Sequence, residues 1–239
     1  MNRPHISEAV LALDPARAAR GATRPYLVHQ LVADLFGEFE RRPFLYREQE
    51  SKGTSQTVLI LSSTAPLAPE EVPVRDVGVV RSIRSKPFVV DVPPGTMLDF
   101  EIRLNATKDV PTSKGARSKR MDVWEAVWQE HPETTRSPEQ VYGEYLQRKL
   151  DGAGKMGACA LVARGLVRAR KQLSGPKPIT FVAADLIGTM EVTDPHALVA
   201  AVSGGMGRAK AFGCGLMCLS RPGTVLPRRH PDAARELYG

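Results

Sequence analysis

The stretch RPYLVHQLV, Arg24 to Val32, sets a proline at the mouth of a helix, then Tyr26, then His29 three residues later. A neutral imidazole titrates close to physiological pH and can move protons. A tyrosine hydroxyl one helical turn away can orient or stabilise a phosphate oxygen. The pair has the parts for transesterification of RNA if something nearby holds the phosphate. A histidine at the edge of a helix is otherwise more often structural, so its meaning depends on its surroundings.

Three other stretches supply groups that bind anions. The loop GMGRAKAFGCG, Gly205 to Gly215, places Gly205, Gly207, Gly213 and Gly215 around Arg208 and Lys210. Glycine lets the backbone approach a ligand and adopt conformations closed to other residues. The exposed N–H groups of such a loop can meet phosphate, with the two cations adding charge. No G-K-[ST] follows, so it is not a Walker loop, and a plain helix-to-strand turn is the alternative. A hairpin carries Arg164, Arg168, Arg170, Lys171 and Lys177 on its strands and tip, either as a ribbon gripping RNA or as a solvated edge. The segment Lys108 to Arg120 holds five basic residues, among them Lys108, Arg117, Lys119 and Arg120, and reads as a basic loop that contacts RNA or serves as a linker. No paired carboxylates with metal-ligand spacing stand out, which argues against a two-metal nuclease. No metal or cofactor is expected.

Composition agrees with a polyanion partner. The 239 residues carry a formal charge of +7, and neutralising phosphates releases counterions. No run approaches the roughly 20 apolar residues that span a bilayer. The N-terminus MNRPHISEAVLALDP lacks the apolar core of a signal peptide, so no membrane partner and a cytoplasmic location are expected. Cys159, Cys214 and Cys218 form no C-x-x-C and have no His beside them, and read as reduced, mostly buried thiols.

Positioning these groups requires a particular set of elements. Glu8 to Ala16 suits an opening strand closed by Asp-Pro. Val28, Leu31, Val32, Leu35, Phe36 and Phe39 recur at helical spacing, which predicts a helix from Pro25 to Phe39 with His29 at the edge of its apolar stripe and Tyr26 further round. Arg42–Glu48 and Gln56–Ser63 read as a strand pair, Thr64–Val80 as a loop, and MLDFEIRLNA as a further strand. That β-α-β-β-(loop)-β order suits a ferredoxin-like layer of sheet and helix. Two helices follow, the second with Ser137 as its cap and Pro138 at its first position. Two long strands, a helix capped by Asp194, the glycine loop and a last strand, CGLMCLS, complete the second half.

Taken in order, LDPARAARGATRPYLVHQLV, KPFVVDVPPGTMLDFEIRLNATK and LIGTMEVTDPHALVAAVSGGMGRAKAFGCGLMCL resemble the CasE family, the repeat-processing endoribonucleases of type I-E CRISPR systems. The resemblance runs from about Ala9 to Pro222. It implies an α+β fold of two tandem ferredoxin-like (RRM-like) domains facing a basic cleft. The expected division is an N-terminal domain with the catalytic helix to residue 110, a basic loop and helical linker over 111–150, a C-terminal domain over 151–222 and a tail over 223–239. It implies metal-independent cleavage of precursor RNA at the base of the repeat hairpin. The ribose 2′-OH attacks the adjacent phosphate and leaves a 2′,3′-cyclic phosphate and a 5′-OH. His29 and Tyr26 fall on the family's catalytic pair, with His29 as base or acid. The basic hairpin from Arg168 to Lys177 falls on the element that grips the RNA stem. The partners implied are the repeat RNA and other Cascade subunits. The chain departs from the family pattern at Gln30, where a basic residue usually follows the histidine, and at Asp34, at a lysine position. Charge for the transition state must then come from elsewhere, with Arg24, Lys108 and Arg208 the candidates. Those departures keep open a non-catalytic RNA-binding subunit as the alternative.

Overall fold

The structure, a computed structural model, describes residues 3–111, 118–172 and 176–223. It contains two four-stranded antiparallel sheets. The first holds β1 (His5–Leu13), β2 (Phe44–Lys52), β3 (Ser55–Ser62) and β4 (Gly78–Pro87) in the order β2-β3-β1-β4. The second holds β5 (Met97–Leu104), β8 (Gly154–Ala169), β9 (Ile179–Val192) and β10 (Met217–Ser220) in the order β10-β5-β9-β8. Ranked along the chain within each sheet, both read fourth, first, third, second, with every pairing antiparallel. That is the ferredoxin-like permutation, built twice, and the α+β expectation holds.

In the first unit β1 alternates, turning Ala9, Leu11 and Leu13 toward α2 (Arg24–Asp34). Leu27, Val28, Leu31 and Val32 of α2 complete that core, each contributing about 1.5–3 kcal/mol by leaving water. A 3-10 turn, Pro69–Glu71, stands where the second helix of the motif would be. In the second unit α4 (Pro138–Lys149) and α5 (Pro195–Gly204) cover the sheet around Phe100, Ile102, Leu104, Tyr142, Leu146 and Leu186. A small ribbon of β6 (Thr107–Val110) and β7 (Lys119–Asp122), followed by α3 (Val123–Glu130), is inserted between β5 and α4.

Several expectations need correction. Asp14-Pro15 does not merely close the opening strand. Asp14 accepts a hydrogen bond from the Ala16 N–H at 2.8 Å and caps a short helix, α1 (Pro15–Ala19). The helix expected to reach Phe39 stops at Asp34, and Gly37 takes φ +60°, which ends the helical course. Phe36 and Phe39 pack instead on Phe44 of β2, at 4.9 and 5.8 Å between ring centroids.

The strand Met97–Leu104 does not complete the first sheet. β4 does, and β5 runs through the second sheet, so the expected boundary at residue 110 cuts across the second unit. β4 is an edge strand with Arg81, Arg84 and Lys86 exposed, so it lacks the apolar alternation that marks a half-buried strand. The segment Lys108–Arg120 is not wholly loop, because its ends pair as β6 and β7, from Thr107↔Asp122 to Val110↔Lys119. The cap of α4 is as expected. The Ser137 Oγ accepts from the Gln140 N–H at 3.3 Å, and the Gln140 Oε1 accepts from the Ser137 N–H at 2.9 Å.

Candidate active site

The first turn of α2 is tied to the far end of β8. The Thr23 N–H donates to the Arg170 carbonyl at 2.9 Å, and the Arg170 N–H returns a bond to the Thr23 Oγ1 at 2.8 Å. The hydroxyl that would cap the helix is therefore used to join the two units, and Thr23 makes no side-chain cap bond. Five residues into the helix, the His29 ring meets the Phe212 ring in a T-shaped arrangement, 5.6 Å between centroids and 61° between planes. Phe212 belongs to the glycine loop and stacks on Phe181 of β9 at 5.8 Å. The helix and the glycine loop, 183 positions apart at His29 and Phe212, thus form one site.

The loop is held by its backbone. Gly205, Gly207, Gly213 and Gly215 all have positive φ, from 69° to 93°, and so does Ala209 at 51°. A Cβ on Gly207 would stand 2.7 Å from the Asn105 carbonyl oxygen, and one on Gly215 would stand 2.6 Å from that of Met206. Glycine is required at both by conformation and by space. The Met206 N–H donates to the Gly215 carbonyl at 2.9 Å, the Arg208 N–H to Asn105 at 3.0 Å and the Gly215 N–H to Arg103 at 2.8 Å. Those N–H groups are spent inside the protein, so they do not form the phosphate cradle that the loop's composition suggested. The loop's cations also differ. Lys210 donates to the Gly204 carbonyl at the end of α5 at 2.5 Å, whereas the Arg208 side chain is exposed.

His29 is part-buried, and its Nδ1 is buried without a hydrogen-bond partner. Burial first, and the positive charge of Arg42 second, lower its pKa below the ordinary 6.5. Burial penalises the charged imidazolium and the Arg42 guanidinium repels it, so the neutral ring is favoured. Tyr26 is part-buried on the same helix, one turn earlier. Arg42 escaped the sequence reading because it lies in a polar run before β2, and only the fold brings it near His29 and Lys210.

The other expected cations separate into two sets. Arg24 is directed at Gln56 and Glu48. Lys108 pairs with Glu130 at 2.7 Å, and Arg120 pairs with Asp109 at 3.2 Å. Arg170 donates through Nε to the Gly21 carbonyl at 3.1 Å. Arg164 donates to Tyr142 at 3.0 Å, to Asp122 at 3.1 Å and to Glu125 at 2.8 Å, so it braces β8 against α3 and α4. Arg168, Lys171, Lys177 and Lys119 are exposed like Arg208. Arg117 lies outside the described residues. Lys149 of α4, also missed, joins Lys108, Arg120, Arg208 and Lys210 around a cavity of about 370 Å³ whose one acid is Asp109. Asp34, the departure from the family pattern, is buried and pairs with Arg75 at 3.0 Å, so it anchors the loop before β4.

Beneath the site, Arg47 of the first sheet pairs with Glu101 of the second, while Arg103 faces Asp185 at 3.4 Å on the neighbouring strand of its own sheet. Glu48 lies among them, its carboxyl raised above the ordinary carboxylate range by burial and partly restored by Arg103 and Arg24. Burial pushes the Cys214 thiol up to about 12 and the Cys218 thiol up to about 11, so both stay protonated and unreactive. Among the described residues no three His, Cys, Asp or Glu side chains form a metal-binding group, and no helix is long and apolar enough to cross a membrane.

Known proteins share this architecture. The chain is 26% identical over 225 residues to the CRISPR-associated endoribonuclease Cse3 of Thermus thermophilus, covering 88% of this chain and 97% of that protein. Its fold matches Thermus thermophilus Cse3 bound to an RNA representing a pre-cleavage complex, with a TM-score of 0.66 at 22% identity over 91% of this chain and 99% of that one. It also matches the CRISPR-associated protein Cas6e of Escherichia coli K-12, with a TM-score of 0.61 at 23% identity over 91% and 99%. The model of the family described as CRISPR associated protein matches residues 5–221. With its two ferredoxin-like units and its histidine–glycine-loop site all inside that span, the chain belongs to the CRISPR associated protein family.

Proposed function

We propose that the protein is an endoribonuclease that cleaves CRISPR precursor RNA at the base of the repeat hairpin, without metal, and retains the product as a Cascade subunit. The single observation that carries this is His29: a neutral-favoured imidazole, packed on the glycine loop, in a chain whose relative is named a CRISPR-associated endoribonuclease. A lowered pKa suits a general base, because the free base is populated at neutral pH. His29 accepts the proton of the ribose 2′-OH through Nε2, in the tautomer that keeps the ring hydrogen on the buried Nδ1. The 2′-oxygen attacks the adjacent phosphorus, the P–O5′ bond breaks, and the leaving 5′-oxygen takes up a proton. The products are a 2′,3′-cyclic phosphate and a 5′-OH. Tyr26 orients a phosphate oxygen. Arg42 and Arg208 supply the positive charge that Gln30 and Asp34 do not. Exposed Arg168, Lys171, Lys177 and Lys119 hold the backbone of the stem across a basic cleft.

Cleavage in EDTA of the repeat RNA, and of a copy with a 2′-deoxy sugar at the cut site, tests the reading. Wild type is expected to cut only the first, leaving a cyclic phosphate, and His29→Ala is expected to bind the hairpin without cutting. Tight binding without cleavage by wild type would make the chain an RNA-binding subunit instead.

A further inference from the structure

We propose that Phe212 is the positioning residue of the site, holding the His29 imidazole in place and keeping water from its buried nitrogen; this rests on His29 being the base. The ring has no other office in the proposed reaction, since it carries no charge and no polar atom. Its setting is built with care. Phe212 ends a one-turn 3-10 segment, Lys210–Phe212, bounded by left-handed residues on both sides, Ala209 at φ 51° and Gly213 at φ 74°. An L-residue held at positive φ is strained and persists only where its surroundings impose it. Three contacts impose it here. The Phe212 N–H donates to the Ala209 carbonyl at 2.8 Å, the buried Tyr46 hydroxyl donates to the Ala211 carbonyl at 3.0 Å, and Lys210 ties the turn to the end of α5. Phe181 stacks on the ring at 5.8 Å between centroids. Phe212 is thereby presented to His29, in a T-shaped contact, from a turn held by these hydrogen bonds.

The consequence is electrostatic as well as steric. The ionisable groups on the elements around His29 include Arg24, Tyr26 and Asp34 on its own helix, Arg42 before β2, Tyr46, Arg47 and Glu48 on β2, Arg208, Lys210 and Cys214 in the loop, Arg168 near the end of β8 and Arg170 just after it. On β1 the helix-facing residues Ala9, Leu11 and Leu13 carry none, and on β4 the residues packed toward that core are Val80 and Ile83. No carboxylate hydrogen-bonds to Nδ1. Burial, to which the apolar ring of Phe212 contributes, together with the nearby charge of Arg42 keeps the imidazole neutral, and no carboxylate orients it. A histidine base is often oriented by a carboxylate or carbonyl; here an aromatic ring does so.

The test is single-turnover cleavage of repeat RNA at saturating protein, from pH 5 to 8, for wild type, Phe212→Ala, Phe212→Leu, Phe212→Tyr and His29→Ala. In Phe212→Ala the acid limb is expected to move up toward 6.5 and the plateau rate to fall about 10- to 100-fold, the scale of a misplaced catalytic group. RNA affinity is expected to hold. Phe212→Tyr, which keeps the ring, is expected to recover the wild-type midpoint, with Phe212→Leu between. A wild-type acid limb in Phe212→Leu, folded and binding RNA normally, overturns the proposal. Loss of affinity with an unmoved midpoint also overturns it and makes Phe212 a base-stacking contact. Normal cleavage by His29→Ala instead refutes the assignment of His29 itself.

Discussion

Replacing Arg164 by Met should unsettle the second unit and leave RNA binding alone. Its sequence neighbourhood suggests an RNA contact, yet its guanidinium lies over Asp122, whose side chain is only 2% exposed, with the arginine side chain itself 26% exposed. Breaking a fully buried ion pair by removing one partner costs about 3–5 kcal/mol. Here the stranded carboxylate keeps the Tyr142 hydroxyl at 2.8 Å and the N–H groups of Trp124 and Glu125 at 3.1 and 3.3 Å. The exposed Glu125 adds roughly 0–1 kcal/mol at most. The expected loss is therefore about 2–3 kcal/mol, or about 4–12 °C in Tm for a chain of this size. Urea and thermal unfolding read the first quantity, and titration of labelled repeat hairpin reads the second. Affinity should stay within about twofold, and Asp122→Asn combined with Arg164→Met should cost less than the two separately, since they share one network. An unchanged melting curve with a tenfold weaker Kd, about 1.4 kcal/mol, would refute the bracing role and return Arg164 to the RNA surface.

Arg168→Glu should do the reverse, weakening RNA binding and lowering the slope of log Kd against log salt by about one, with Tm unchanged; a full-strength salt slope would remove it from the interface. Gly215→Ala should cost about 1–3 kcal/mol in urea unfolding, from an L-residue forced to positive φ and a Cβ against the Met206 carbonyl; stability equal to wild type would show the loop to be less constrained than its geometry requires. His29 has a folded pKa below 6.5, so below that pH the unfolded chain takes up a proton that the folded chain refuses. Its contribution is complete above 6.5 and is lost as pH falls, and His29→Gln should flatten that part of the stability–pH curve. An identical acid slope in the variant would contradict the burial of Nδ1.

Local patterns carried much of the architecture. The apolar spacing of Val28, Leu31 and Val32, the Ser137-Pro138 cap and the long strands of the second unit are set by side chains within a few residues of each other, and each formed as read. So did the general character of the glycine loop, because positive φ is a property of single residues. β4 was illegible because this mostly exposed edge strand turns little more than Val80 and Ile83 toward the core, too few to show an alternation, and the run of Phe36 and Phe39 misled because they turn to Phe44 after Gly37 breaks the helix. Charge was the least legible quantity. Arg164 and Arg168 look alike in sequence four residues apart, but β8 presents one to Asp122 and the other to solvent. Residue types and short spacings thus determined the main helices and the more buried strands and placed His29 in the helix α2. Only the packing of α2 against a loop near the other end of the chain decided that His29 meets Phe212, lies near Arg42 and leaves Nδ1 unpartnered, because burial and electrostatic field belong to the folded surroundings and not to the residue.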